Sequence, residues 1–104
     1  MLKFKVTEET KKRKILRRIE ADGHVDAKGE DNIICAAASM TVQTLAIFLA
    51  KRYPYDMDAS FYPGRSFVEC EADMDNKEVW AAFEMTVEGL RSLAKRYPED
   101  VAES

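Results

Sequence analysis

The sequence predicts an α+β fold of two layers, in which two helices cover one face of a four-stranded, mainly antiparallel sheet. The element order strand, strand, helix occurs twice within 104 residues. The strands alternate apolar and polar residues, whereas the helices repeat apolar residues at intervals of three and four. A chain of this length is expected to form one domain over residues 1–104.

The first two strands follow from alternation at the N-terminus. Apolar residues alternate with polar ones and predict a half-buried strand, at Leu2, Phe4 and Val6. Residues 8–12 are polar and are predicted to form the connecting turn. Residues 15–21 continue the pattern as a second strand, which ends at Asp22-Gly23.

A second strand pair is predicted over residues 57–62 and 66–72, which flank the turn signal Pro63-Gly64. Three aromatic residues surround this turn: Phe61, Tyr62 and Phe67. We interpret them as core packing, with a pocket for a substrate phenylalanine as the alternative. Cys70 lies on one face of the second of these strands and is interpreted as a buried structural residue.

The first helix is predicted over residues 33–52, with Asp31 or Asn32 as the residue that caps its N-terminus. Its apolar residues lie nearly all round the helix, so it must be buried on more than one side. The sheet of so small a protein covers only one side, which makes the remainder a candidate subunit interface. We therefore expect a homodimer through residues 33–52.

The second helix is amphipathic, with apolar residues at helical spacing and charged residues facing away. Asp75 is its predicted cap, and Glu78 is the partner of that cap three residues later. The helix is expected to end at Pro98, and the residues after Pro98 are expected to be frayed.

Composition restricts the classes of function. The net charge is −3, from 16 Lys and Arg against 19 Asp and Glu, which argues against a general nucleic-acid binder. Basic residues nevertheless crowd positions 11–18, either as a solvated hairpin tip or strand face or as a contact for RNA or an acidic surface. Two cysteines and one histidine are too few for the four ligands of a structural zinc site, and no cofactor is indicated.

The N-terminal segment alternates charged with apolar residues and is not expected to be a signal peptide. The longest mostly apolar stretch, residues 33–50, contains Ser, Thr and Gln and is interpreted as too short and too polar to span a membrane. We therefore expect a cytoplasmic protein without a membrane partner, in which Cys35 and Cys70 are reduced thiols.

Cys35 has the placement of a nucleophile, at the start of the predicted helix. The unpaired N–H groups and partial positive charge at such a position stabilise a thiolate and an oxyanion. His24 is the single histidine, and its imidazole could serve as the base and then as the acid for the leaving amine. Ser39 lies one turn after Cys35 on the same face. The alternative interpretation is a small core cysteine and a surface histidine.

These residues occur in a recognisable order. Gly23-His24 is followed by a loop with Gly29 and by the helix start Asp31-Asn32-Ile33-Ile34-Cys35-Ala36-Ala37-Ala38-Ser39. The pattern resembles the ribosomal-processing cysteine proteases, the Prp family, whose members carry Gly-His-Ala, a glycine-containing loop and Asp-Ile-Val-Cys-Ala-x-x-Ser. The likeness extends over nearly the whole chain in length and element order. The family aspartate three residues before the cysteine falls on Asn32 here, with Asp31 one position earlier.

The resemblance implies a cysteine endopeptidase with Cys35 as nucleophile and His24 as base. The implied supporting residues are Ser39, Asp31 and Gly23. The resemblance also implies a homodimer packed through helices, and a ribosomal protein precursor as substrate. The precursor that the resemblance implies is protein twenty-seven of the large subunit, from which a short N-terminal extension would be removed after a Phe-rich segment. The alternative is a non-catalytic dimeric module that binds a ribosomal protein or RNA through residues 11–18.

Overall fold

The computed structural model describes residues 1–23 and 30–104, and for residues 30–32 it describes the backbone. Over these residues the chain forms five strands and two helices. In chain order they are β1 (Leu2–Lys11), β2 (Lys14–Asp22), α1 (Glu30–Arg52), β3 (Met57–Tyr62), β4 (Arg65–Asp73), α2 (Lys77–Arg96) and β5 (Val101–Glu103). The repeated strand, strand, helix order predicted from the sequence is therefore confirmed.

The strands form one mixed sheet in the order β3-β4-β2-β1-β5, in which β5 alone runs parallel to its neighbour β1. The α+β class is confirmed, but the prediction of four strands is wrong, and so is the predicted fraying after Pro98. The C-terminal residues are ordered because Val101 is buried in the core and β5 pairs with β1. The pairing begins where the Leu2 N–H donates to the Asp100 carbonyl at 2.9 Å.

Both helices pack on the same face of the sheet, because one alternate set of strand residues is apolar. Val6, Ile19 and Val68 are neighbours in register across β1, β2 and β4, and all three belong to the core or pack against it. The helices add rows of buried residues at helical spacing: Ile34, Ala38, Val42, Leu45 and Leu49 from α1, and Val79, Phe83, Val87 and Leu90 from α2. One hydrophobic cluster therefore joins the sheet to both helices.

The β1–β2 hairpin is longer than the alternation predicts. Residues 8–11 belong to β1 rather than to the predicted turn, and the turn is confined to Lys12-Arg13. Lys12 has a φ of 60°, which is typical of a tight turn. The side chains of residues 7–11 are exposed, so no apolar residue marks this part of the strand in the sequence.

α1 begins at Glu30 rather than at residue 33. Asp31 and Asn32 therefore lie inside the first turn, where neither can cap the helix N-terminus, and the predicted capping role is wrong. Cys35 correspondingly lies in the second turn. The unpaired N–H groups of a helix belong to its first turn, so Cys35 follows these groups instead of lying among them.

The cap of α2 is Asn76 and not the predicted Asp75. The Asn76 side-chain oxygen accepts a hydrogen bond from the Val79 N–H at 3.0 Å. Glu78 has a different partner from the predicted one, because it accepts a hydrogen bond from the Tyr53 hydroxyl at 2.9 Å. The same hydroxyl accepts one from the Asn76 amide at 3.2 Å, which joins the end of α1 to the start of α2.

Among the described residues, one helical segment, Ile33–Arg52, is long and apolar enough to cross a membrane by length and composition. The interpretation that this stretch is too short and too polar is therefore wrong on both counts. The core helix of a globular protein passes the same test. Here Thr41 and Thr44 donate hydrogen bonds to carbonyls one turn earlier, which satisfies two polar side chains within the helix itself.

Candidate active site

A cavity of about 330 Å³ lies between α1 and the end of the sheet where β2 stops and the β3–β4 turn begins. α1 contributes Cys35 and Ser39, the end of β2 contributes Gly23, and the turn contributes Gly64. Much of the remaining wall is apolar, formed by Leu2, Ala21, Ala38, Val42 and Phe61. The structure therefore brings together at one cavity Cys35, Ser39 and Gly23, which were each predicted as site residues.

Cys35 reaches this cavity because of the face of α1 on which it lies. Ala38, Ser39 and Val42 lie three, four and seven residues after Cys35, which places them on one face of α1, and all four residues line the cavity. The Cys35 side chain is half-buried and also packs against the hydrophobic core. Ser39, one turn further along, is exposed. A thiol in this position is accessible to a bound molecule, unlike a cysteine enclosed in the core.

Cys70 has the opposite environment. It lies on β4, opposite Arg17 of β2, and its exposed fraction is 0%. Burial, together with the nearby Asp56 carboxylate, raises the pKa of the Cys70 thiol to about 11. The prediction that Cys70 is a buried structural residue is confirmed.

The backbone at Gly23 has a geometry that requires glycine. Gly23 has a φ of 99°, a conformation that side chains rarely allow. A Cβ atom at this position would collide with the carbonyl oxygen of Met1. The Gly23 N–H donates a hydrogen bond to the Gly64 carbonyl at 2.8 Å, which ties the end of β2 to the β3–β4 turn. Gly23 therefore forms a fixed corner of the cavity.

His24, the predicted base, lies outside the described residues, and so do the side chains of Asp31 and Asn32. Chain order relates His24 to the cavity, because His24 directly follows Gly23, which lines it. The roles of His24 and Asp31 therefore stay predictions.

The β3–β4 turn contributes site residues that the sequence analysis did not assign to the site. Phe61 and Tyr62 are exposed and line the cavity, so the core-packing interpretation is wrong for both. Phe67 lies elsewhere, beneath the Arg18 guanidinium, whose central carbon is 4.0 Å from the ring centroid. An aromatic pair directly before Pro63-Gly64 is the signal in the sequence that indicates this wall.

Arg65 is the charged residue among the described residues that line the cavity. Its Nε atom lies 3.6 Å from an Asp22 carboxylate oxygen, which is beyond hydrogen-bond distance, and both side chains are largely exposed. Exposed ion pairs of this kind contribute little to stability. The rim of the cavity therefore carries a loosely held positive charge.

The basic stretch at residues 11–18 divides into two parts. Arg17 is buried, with its Nε atom 3.2 Å from the Glu8 carboxylate, and no described residue offers a partner to its buried Nη1 atom. Burial lowers the pKa of Arg18, but its hydrogen bonds to Glu20 and Glu69 outweigh this effect and raise the pKa overall. The exposed part is the end of the hairpin, residues 11–14. Of the basic stretch, these residues are the ones that remain available for the hypothetical RNA contact.

An accessible thiol beside a largely apolar cavity is the arrangement expected of a thiol-dependent enzyme. The sequence profile of the family described as Cysteine protease Prp matches residues 1–102. The chain therefore belongs to the Prp family of cysteine proteases, as its motifs indicated.

Solved structures share the fold over the whole chain. An essential ribosomal processing protease Prp from S. aureus, in complex with a substrate peptide, has a TM-score of 0.76 and 19% identity, with 100% of this chain and 98% of that chain covered. The complex of the S. aureus Prp with a covalently linked product peptide has a TM-score of 0.74 and 19% identity, with 100% of this chain and 98% of that chain covered. SMU.848 from Streptococcus mutans has a TM-score of 0.72 and 20% identity, with 100% of this chain and 92% of that chain covered. None of the curated protein sequences matches the chain.

Proposed function

We propose that this protein is a cysteine endopeptidase that removes an N-terminal extension from a ribosomal protein precursor, with Cys35 as nucleophile and His24 as base. The observation that carries the proposal is the cavity shared by Cys35, Ser39 and Gly23. Family membership supplies the reaction class. We place the activity in the cytoplasm, where thiols remain reduced, and in one domain over residues 1–104.

In the proposed reaction His24 takes the Cys35 proton, and the thiolate attacks the carbonyl carbon of the scissile peptide bond. A C–S bond forms while the carbonyl oxygen becomes an oxyanion. Collapse of this intermediate breaks the C–N bond, and the leaving amine receives its proton from His24. Water, deprotonated by His24, then attacks the thioester, so that the new carboxylic acid leaves and the thiolate is regenerated.

The other site residues support this reaction through position. Gly23 is held by its hydrogen bond to Gly64, and His24 is covalently joined to that fixed corner. Ser39 places a hydroxyl on the same wall as the thiol, and we assign it the positioning of Cys35 or of the substrate. Asp31, which lies one position before the Asn32 that occupies the place of the family aspartate, is a further proposed supporting residue.

The proposed substrate is protein twenty-seven of the large ribosomal subunit, cleaved after a Phe-rich segment. The S. aureus relative is a ribosomal processing protease, and its crystal structures contain a substrate peptide and a covalently linked product peptide. The exposed aromatic pair on the cavity wall, Phe61 and Tyr62, supports an aromatic residue in the substrate, because aromatic rings favour each other in such pockets.

Cleavage of a synthetic peptide from the host's own protein twenty-seven, spanning the end of its extension, tests the proposal. Cys35→Ser and His24→Ala are each expected to lower kcat/KM by about a thousandfold or more, with thermal unfolding close to wild type. Cys70→Ala is the matched control, because it removes the buried thiol and is expected to retain cleavage. Full cleavage by Cys35→Ser contradicts the proposal.

We also propose that the protein is a homodimer through residues 33–52. Ile33 and Met40 are exposed on one side of α1 and line neither the cavity nor the groove beside β3, and exposed apolar residues of this kind mark an interface. Met40→Glu is expected to convert the dimer to a monomer in sedimentation experiments. Met85→Glu is the matched control, because Met85 is an exposed methionine on α2. Wild-type protein that sediments as a monomer contradicts the proposal.

A further inference from the structure

We propose that the peptide substrate binds in an extended conformation as an additional strand on the outer edge of β3, beneath the flank of α1. This inference rests on the proposed function, since it concerns the peptide that Cys35 would cleave. Three features support it: backbone groups of β3 that face away from β4, a groove beside them, and the continuity of that groove with the Cys35 cavity.

β3 is an edge strand of the sheet that the described residues form. The Glu71 N–H donates to the Asp56 carbonyl at 2.9 Å, and this bond sets the alternation of the β3–β4 ladder. The even-numbered residues of β3 consequently bond to β4. The intervening residues direct their N–H and C=O groups toward the open edge, at Met57, Ala59 and Phe61.

The hydrogen bond of the Ala59 N–H agrees with this orientation. This N–H donates to the carboxylate of its neighbour Asp58 at 2.9 Å and not to β4. Asp58 is an exposed side chain, so its carboxylate is a partner that the carbonyl of an added strand can replace. Such a local carboxylate also protects an unoccupied edge from pairing with other chains.

A groove of about 620 Å³ runs beside this edge. Its apolar walls are Ala46, Ile47 and Ala50 on α1 and Met57, Ala59 and Phe61 on β3. The β3 side chains face α1 because Ala59 pairs in register with the core residue Val68. A strand added to β3 would therefore place every second side chain in the groove, since successive side chains of a strand point to opposite faces.

Gln43 and Phe61 line both this groove and the Cys35 cavity. A peptide lying along β3 therefore reaches Cys35 without crossing another of the described helices and strands. Gln43 also offers an amide that can donate to or accept from a peptide backbone at this junction. An extended polypeptide satisfies both the backbone groups of the edge and the apolar walls, whereas a compact apolar ligand satisfies the walls alone.

An N-methyl scan of the substrate peptide tests this binding mode. Each methyl group removes one N–H donor and leaves the side chains unchanged. Binding is measured to Cys35→Ala protein, which cannot cleave the peptide. Each methyl group at one alternate set of peptide residues is expected to weaken binding about tenfold relative to the unmethylated peptide. Each methyl group at the intervening residues is expected to change binding by less than about twofold. Fluorescence anisotropy of labelled peptides measures both effects. Losses without this period of two overturn the proposal.

Ala59→Pro tests the same edge from the side of the protein. The substitution removes an outward N–H while sparing the hydrogen bonds to β4, so unfolding is expected near wild type and peptide binding about tenfold weaker. If Ala59→Pro separates a dimer and leaves peptide binding unchanged, a second copy of the chain occupies the edge and the proposal is overturned.

Cleavage by wild-type protein is measured on the same methylated peptides. Cleavage that shows no alternation overturns the edge-strand binding and leaves the proposed function intact. Alternating affinity without cleavage supports the binding mode and overturns the proposed function. A peptide that is neither bound nor cleaved overturns both.

Discussion

The two cysteines contact the same hydrophobic cluster and nevertheless have opposite surroundings. Cys70 lies on β4, which is paired with a strand on each side and covered by the helices, so its thiol is enclosed. Cys35 lies on α1 where the sheet ends at Gly23 and Gly64, so its thiol borders a cavity. An apolar sequence context therefore does not decide the role of a cysteine. The end of the sheet decides it here.

Alkylation gives the largest expected difference between the two thiols. With iodoacetamide near neutral pH, Cys35 is expected to react about a thousandfold faster than Cys70 or more, because Cys70 reacts only after local or global opening. The raised pKa of Cys70, about 11, further reduces its thiolate fraction. Mass spectrometry of digested protein gives both rates. Similar rates in folded protein would show that Cys70 is not enclosed.

Gly23→Ala probes the corner that creates the Cys35 environment. The substitution is expected to lower the free energy of unfolding by about 2–4 kcal/mol, because the new Cβ requires both a strained φ and a shift of Met1. Urea unfolding measures the loss, and peptide cleavage is expected to fall with it.

Gly89→Ala is the matched control for this substitution. Its new Cβ would lie 3.2 Å from the Thr41 Cγ2 atom, at a helical residue of α2, and the expected change stays within about 1 kcal/mol. Equal effects of the two substitutions would show that Gly23 has no special geometry.

The loss of stability at alkaline pH is expected to be smaller than the difference in alkylation rate and than the effect of Gly23→Ala. It depends on the ionisation of the Cys70 thiol. Its pKa is raised from an ordinary value of 9.0 to about 11, so between these values the unfolded chain loses the thiol proton while the native protein keeps it. The native state then binds more protons, and stability falls as pH rises through this interval.

Comparison of wild type with Cys70→Ala isolates the contribution of the Cys70 thiol to the pH dependence of stability, because all other titratable groups are present in both proteins. Between pH 9 and pH 11 wild type is expected to lose about 1–3 kcal/mol more stability than Cys70→Ala, as measured by urea unfolding at several pH values. Parallel pH profiles for the two proteins would mean that burial does not hold the Cys70 proton.

Much of the fold could be predicted because many of its strands and helices follow from local sequence patterns. Alternation at Leu2, Phe4 and Val6, and helical spacing in α2, depend on residues close together in the chain. β5 could not be predicted in this way. Its three residues form a strand through pairing with β1 at the far end of the chain, which no local pattern records. The helix starts at Glu30 and Asn76 likewise depend on neighbours that the sequence does not identify.

The candidate site divides in the same way. Cys35 and Ser39 could be placed together because they are one helical turn apart, and Gly23 followed from the family motif. Phe61 and Tyr62 were assigned to the core because aromatic residues near a turn usually pack inward. They line the cavity because the β3–β4 turn lies where the sheet ends, and only the register between strands determines that position.

The buried guanidinium of Arg17 has a consequence for attempts to make this protein more heat-resistant. A positive charge lies on the apolar face of the sheet, and its Nη1 atom has no acceptor among the described residues. An apolar side chain of similar length removes the cost of desolvating this charge, and the Glu8 carboxylate that remains is exposed to water rather than buried without a partner. Arg17 does not line the cavity or the groove along β3. Engineering for thermal tolerance therefore has a starting point at Arg17→Met that leaves the residues around Cys35 unchanged.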